Sequence, residues 1–275
     1  MNSNKQVHPF DKATHLTEEA SGVYSGHTSE KYANMIGPFG GVIASTLLRA
    51  VLEHPERLGE PASLTINYAA PVADGDFNIK ATPTRTNRST QHWYIVLSQN
   101  DKTVITGTAI TAQRRDTWSS TEIAFPNVPA AEKVEFPTIE GAPPWLQNYD
   151  IRIIKGAPLA LSQIQSNNAH DSTTLQWIQD TPKRNLDFLS LTSICDAFFP
   201  RIWVRREKMV PIGTVSLTIY FHVDSETLKT HGNREVLGHT RALRFYDGFF
   251  DQTGEIWSYD GNLLATTSQF VYYKE

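Results

Sequence analysis

The sequence predicts an α+β protein in which one structural unit occurs twice, and three observations carry that prediction. A segment that is apolar nearly all round, VIASTLLRAVLE from Val42, reads as a buried central helix. Strand-like runs follow it with no helix between them, as in an antiparallel meander. The order helix, strand, meander, closing strand then returns after a proline-rich stretch. With it returns the tetrapeptide SLTI, first at Ser63–Ile66 and again at Ser216–Ile219, an offset of 153 residues.

Composition sets limits on function. A chain of 275 residues can form one large domain or two ordinary ones. Hydrophobic content of 40% with 20% charged residues describes a globular chain rather than a disordered one. A net charge of −4 argues against a nucleic-acid partner, and no basic stripe or long apolar run points to a membrane. The single cysteine, Cys195, excludes an intrachain disulfide and a cysteine metal cluster. The nine histidines show no paired ligand spacing, so no metal is expected. The N-terminus lacks the apolar core of a signal peptide, and a cytoplasmic location is the expectation.

In chain order, residues 1–20 are polar and read as irregular until Val23. GPFGG, Gly37–Gly41, precedes the buried helix and leaves Gly40 and Gly41 at its N-terminus. Free backbone N–H groups there can hold an anion or an oxyanion, or the glycines can simply serve a tight, closely packed turn. Strands are expected at Ser63–Ala70, Phe77–Thr86, Gln91–Gln99 and Thr103–Arg114, with a tight turn at Asn100–Lys102. Residues 116–148 form a proline-rich linker over the surface, holding Pro126, Pro129, Pro137, Pro143 and Pro144. It separates an N-terminal unit, 1–115, from a C-terminal unit, 149–275. The second unit is expected to hold strands at Tyr149–Ile154, Thr174–Ile178, Gly213–Asp224, Glu235–Phe250 (one strand or a pair) and Gly254–Tyr259. A turn at Asp260–Gly261 leads to a closing strand from Asn262.

Within Arg184–Trp203, RNLDFLSLTSICDAFFPRIW, the residues Phe188, Leu191, Cys195, Phe198 and Phe199 recur at helical spacing. They predict one helix of about a dozen residues, stopped by Pro200. Asp196 falls in its last turn, where the carbonyl end of the helix disfavours a negative charge. Taken alone, the stretch puts Asp196 on the solvent side of an ordinary amphipathic helix.

A long antiparallel sheet around one apolar helix is the hotdog arrangement, and two in one chain make a double hotdog. The sequence resembles the type II acyl-CoA thioesterases from about Val23 to Glu275. The resemblance lies in Gly40-Gly41 opening the helix, NYAAPVADGDFNIKATPTRTNRS at Asn67–Ser89, ICDAFF, GTVSLTIYFH and LLATTSQ. It implies a double hotdog of two antiparallel sheets, each wrapped around a central helix. It also implies a catalytic Asp, Thr and Gln, all from the second half, falling on Asp196, Thr214 and Gln269. The cysteine before the Asp and the aromatic residues after Gln269 depart from the family pattern.

Hydrolysis of a thioester needs an activated water and donors for the oxyanion. Asp196 can take the proton, with its pKa pushed up by burial. Thr214 can orient the water, and Gln269 can hold it or donate to substrate. The expected oxyanion donors are the amides of Gly40 and Gly41. Arg85 and Arg88, in the RTNRST hairpin, either meet coenzyme A phosphates or form a solvated basic turn. The implied activity is an acyl-CoA thioesterase with acyl-CoA as its partner and no cofactor beyond the coenzyme A of the substrate. A homodimer or larger homo-oligomer is implied as well. The alternatives are a non-hydrolytic acyl-thioester binder, a hydratase of the related type, and a purely structural role. By offset, the first-half counterpart of Gln269 is Ile110 or a close neighbour, and the first helix offers no Asp. One half is therefore expected to carry the acid–base groups.

Overall fold

The computed structural model describes residues 7–135, 141–158, 171–206 and 208–275, so residues 1–6 and Pro137 of the expected linker lie outside it. A short helix α1 (Pro9–Ala13) leads to strands β1 (Thr17–Ala20) and β2 (Val23–His27). Helix α2 (Gly40–Leu52) precedes β3 (Glu60–Tyr68), β4 (Asp76–Thr86), β5 (Thr90–Gln99) and β6 (Lys102–Ala112). After the long connection come β7 (Tyr149–Lys155), β8 (Thr174–Asp180), α3 (Phe188–Ile194), α4 (Arg201–Arg206) and β9 (Ile212–Phe221). The chain ends with α5 (Ser225–His231), β10 (Val236–Arg241), β11 (Phe245–Tyr246), β12 (Phe249–Trp257) and β13 (Leu263–Tyr273).

The expectation of two sheets is corrected: the strands form one antiparallel sheet in the order β1-β2-β4-β5-β6-β3-β9-β13-β12-β10-β8-β7, with β11 on β12. The join is made by the two SLTI strands themselves. Each would otherwise offer a long row of unpaired backbone groups, and pairing β3 with β9 satisfies both rows. Ser63 lies opposite Tyr220, Thr65 opposite Thr218 and Asn67 opposite Ser216. Under the offset of 153, Thr65 thus faces its own counterpart, and the two hydroxyls are 3.1 Å apart. A pseudo-twofold axis passes through that pair, and the strand order reads as the same series outward on either side. Even the irregularities repeat. A bulge at residue 62 of β3 and another at residue 215 of β9 occupy equivalent places.

Helix α2 is buried on nearly every side, as its composition demands, and packs against β3–β6 and against α3. The two helices meet closely. The Ser45 hydroxyl donates to Leu189 O at 2.8 Å, and a Cβ on Gly41 would stand 2.6 Å from Ser193 O. One apolar core runs from Phe10 through Leu47 and Leu64 to Leu217 and Leu264, so it spans both halves.

Several elements depart from expectation. Residues 9–20 are ordered, because Pro9 stands at the first helical position, His8 caps the Phe10 amide, and Phe10 is fully buried. The dozen-residue helix is broken. Helix α3 begins at the Asp187 cap, whose carboxylate accepts from Ser190 N at 2.8 Å, and ends at Ile194. The chain then tightens through Asp196 N to Ser193 O and Ala197 N to Ile194 O before Pro200 opens α4. Pro200 disfavours a helical Phe199, so one continuous helix cannot reach it. Residues 249–257 form a single strand rather than parts of two, and α5 was not expected. Asp224 caps α5 by accepting from Thr227 N. The connection is not wholly superficial, since Ala131, Trp145 and Leu146 are buried and Trp145 stacks on Phe39 at 4.2 Å. The turn at Asn100 and Asp101 does take positive φ at both residues, as a two-residue hairpin of this type requires.

A continuous sheet with a shared core should unfold as one unit. Leu217→Ala, at a fully buried position on the seam, is expected to cost about 2–5 kcal/mol in urea denaturation while the transition stays single. Two separated transitions would contradict the shared core.

Candidate active site

The site is built where the head of α2 meets the tail of α3. Helix α3 ends one residue before Cys195, so the chain turn that follows lifts Asp196 off the helix and toward α2. The surface reading of Asp196 is thereby corrected, because the remaining exposure of its side chain is to a cavity that it lines. Gln269, on β13, donates through Nε2 to Asp196 Oδ1 at 2.8 Å and is itself buried. Gly40 is required here by close approach, since a Cβ would stand 2.7 Å from Asp196 Oδ2.

Burial raises the Asp196 carboxyl to about 7, while the Gln269 amide and the backbone amide of Gly41 hold it from rising further. The charged form thus has two specific donors and the start of a helix beside it, but little water. Tyr68 completes this wall. Its hydroxyl donates to Gly40 O at 3.0 Å, and burial together with the Asp196 charge pushes its pKa well up.

Thr214 reaches the same cavity because of the bulge at residue 215. In regular alternation with Leu217 and Ile219, the inward residues of β9 would be 215 and 213. The extra residue shifts the phase and turns Thr214 to the side of Val271 and Gln269. Among the described residues its hydroxyl bonds to neither Asp196 nor Gln269, although all three line the same cavity. Gly40 also lines the cavity, whereas the Gly41 amide is directed at Asp196. Arg85 and Arg88 are not brought to the site. Their hairpin lies three strands over from Tyr68 and about five residues along the strands, roughly 20 Å away, and the Arg85 guanidinium bonds to Asn87.

The cavity measures about 960 Å³ and is walled mainly by apolar side chains, among them Ile36, Phe39, Val72, Trp145, Phe198 and Trp203. Sequence reasoning missed Tyr68, the aromatic wall from the connection, and Gln252 on β12, which lies directly opposite Gln269. Gln252 did leave a signal. Phe250, Gln252, Gly254 and Ile256 alternate inward, so a lone polar residue stands in a buried series.

The pseudo-equivalent place in the first half holds no such chemistry. Register puts Ala109 where the second half has Gln269, one residue from the expected Ile110. Trp93 stands where it has Gln252, and Pro61 where it has Thr214. The Trp93 indole and His54 fill the space, ring centroids 4.9 Å apart. Among the described residues no three His, Cys, Asp or Glu side chains gather as a metal-binding group, and no helix is long and apolar enough to cross a membrane.

The chain belongs to the acyl-CoA thioesterase family: the family's N-terminal domain matches residues 29–112 and its C-terminal domain residues 124–273. The crystal structure of a conserved protein of unknown function with hot dog fold, from Alicyclobacillus acidocaldarius, is 45% identical. It covers 98% of this chain and 99% of its own, with a TM-score of 0.93. A protein of Thermobifida fusca named provisionally as a thioesterase II is 19% identical over 97% of each chain, TM-score 0.84. An acyl-CoA thioesterase II of Mycobacterium marinum is 16% identical over 96% of this chain and 98% of its own, TM-score 0.73. The last two likenesses concern the fold alone. No curated protein matches the chain.

The raised Asp196 carboxyl has a consequence for stability. Its folded pKa of about 7 stands above the unfolded value, so folding favours the protonated form. That contribution is full at acid pH, below the unfolded pKa, and is lost as pH climbs toward 7. Asp196→Asn carries no such dependence. Between about pH 5 and pH 8 the variant is expected to gain on the order of 2 kcal/mol relative to wild type, read by urea denaturation at both values. An unchanged difference between the two proteins would contradict the raised pKa.

Proposed function

We propose that the protein hydrolyses acyl-CoA thioesters to free acid and coenzyme A, with Asp196 as general base. The observation that carries this reading is a carboxylate with pKa near 7, gripped by Gln269 and facing a large apolar cavity, in a member of the acyl-CoA thioesterase family. Such a group is substantially ionised at neutral pH yet basic enough to take a proton from water.

In the proposed reaction the acyl chain lies along the apolar wall, with the thioester carbonyl near Thr214 and Asp196. The Thr214 hydroxyl and the Gln269 amide oxygen orient a water. As its oxygen adds to the carbonyl carbon, one proton passes to Asp196. The tetrahedral oxyanion collapses, the carbon–sulfur bond breaks, and the thiolate of coenzyme A takes the proton from Asp196. Water is the only other reactant, so no cofactor enters. The Gly41 amide, directed at Asp196, keeps the base in place, and the Gly40 amide remains the helix-head donor in this reading.

The same reading treats the mirrored halves, 1–115 and 149–275 joined by 116–148, as a double hotdog. Duplication supports it, as does the loss of site residues from one half. It includes self-association through the outer sheet face, where Phe249 and Phe270 stack at 4.9 Å and stay partly exposed.

Thiol release from short, medium, long and aromatic acyl-CoAs tests the reading. Wild type is expected to release thiol from at least one of them, and Asp196→Asn to lower kcat by about 10²–10⁴-fold. Equal rates would remove Asp196 from the chemistry. Acyl-CoA bound without thiol release would favour a non-hydrolytic binding protein.

A further inference from the structure

Beside the Asp196–Gln269 pair the cavity wall holds a polar group that this mechanism leaves unused. Gln252 is 2% exposed, lines the cavity, and is the direct cross-strand partner of Gln269. Opposed side chains on paired antiparallel strands are about 5 Å apart at Cβ, so the two amides are neighbours. The Gln252 Oε1 accepts from Arg201 Nε at 3.0 Å. A guanidinium has donors and no acceptor, so this bond fixes which end of the amide is oxygen and which is nitrogen. Among the described residues the Gln252 Nε2 donates to no protein acceptor.

Arg201 is itself unusual. It is fully buried, yet among the described residues no carboxylate pairs with it. Its guanidinium donates instead to Phe199 O, Ser172 O at 2.8 Å, Thr174 Oγ1 at 2.7 Å and Gln252 Oε1. Burial pulls its pKa down to about 9, which still leaves it charged at neutral pH. A buried cation with no carboxylate beside it among the described residues is costly in a merely structural position. Here it lies one amide away from the cavity. A cation bonded to the oxygen of an amide draws electron density from its nitrogen and makes that N–H a stronger donor.

We propose that Gln252, held by Arg201, donates its amide N–H to the thioester carbonyl oxygen and to the oxyanion that replaces it. The assignment rests on the thioesterase reading. In it, Asp196 and Gln269 manage the water from one side, and Gln252 receives the developing negative charge from the neighbouring strand. Arg201 is a positioning residue. It orients the amide and supplies positive charge behind it without touching substrate.

The decisive variants are Gln252→Glu and Gln252→Met. Gln252→Glu keeps shape and pairs with Arg201 at least as well as the native amide, but has no N–H to offer when ionised. Gln252→Met is neutral, similar in size and also without a donor. Both are expected to hold the melting temperature of wild type within a few degrees, Gln252→Glu at or above it. Both are expected to lose kcat about 10²-fold.

Binding provides a readout independent of turnover. Two nonhydrolysable probes are compared in butyl, decyl and hexadecyl lengths. One is an S-alkyl-CoA thioether, which lacks the carbonyl. The other is an acyl-CoA analogue with methylene in place of sulfur, which keeps it. Wild type is expected to prefer the ketone roughly 2- to 10-fold, and both variants to lose that preference while binding the thioether as wild type does. Retained kcat or retained ketone preference in either variant overturns the assignment. So does a kcat loss confined to Gln252→Glu, which would report added charge rather than a missing donor. If those variants work normally while wild type releases thiol, the assignment fails alone. If wild type binds neither probe and releases no thiol, the thioesterase reading fails with it.

Discussion

The arrangement depends on one constraint: a carboxylate is kept out of bulk water where the start of one helix meets the end of another. Asp196 can sit there because Gly40 leaves room for it and because the Gly41 amide and the Gln269 amide face its oxygens. Each of these requirements reaches back into the fold. The glycines open α2, whose apolar surface demands burial beneath the sheet. The chain leaves α3 after Ile194 by the tighter bonds from Asp196 N to Ser193 O and from Ala197 N to Ile194 O, and Pro200 keeps the helix from resuming through Phe199. Function and packing therefore share the same few residues.

The mirrored strand order explains where the site is. Joining the SLTI strands across Thr65 and Thr218 makes a single sheet and brings the head of the first helix against the tail of the second. Neither half could assemble the site alone, since Gly40, Gly41 and Tyr68 come from one and Asp196, Thr214 and Gln269 from the other. In the mirrored position Trp93, His54 and Ala109 turn the same geometry into core. The mirrored position is packed as core, whereas Asp196 is a desolvated acid whose charged form is costly to bury.

Much of this was legible in the sequence. The central helix, the alternating strands and the repeat follow from periodicity, and element ends shift by a few residues at most for β3–β6 and β13. Asp196, Thr214 and Gln269 were singled out together only through resemblance, because a threonine or glutamine in a strand is ordinary by itself. What stayed hidden is what tertiary structure decides. The single sheet arises from edge pairing between distant strands. The inward turn of Thr214 arises from a bulge that no local pattern shows. Helices of five to seven residues, such as α1 and α5, are too short for a periodic signal, although His8-Pro9 and Asp224 mark their starts. Arg85 and Arg88 have chemistry that suits a phosphate, and the register places their hairpin turn several residues along the strands from Tyr68. Gln252 is visible in the sequence as a polar residue in an inward series, but its bond from Arg201 is made only by tertiary structure.

The central claim is that Asp196 is a desolvated carboxyl titrating near neutrality, and its protonation can be observed directly. Difference infrared spectra of wild type minus Asp196→Asn, recorded from about pH 4 to pH 9, isolate the carbonyl stretch of that one carboxylic acid. The account predicts a band that disappears with a midpoint near 7. A midpoint near the ordinary aspartate value of about 4 would show a solvated carboxylate and would contradict it.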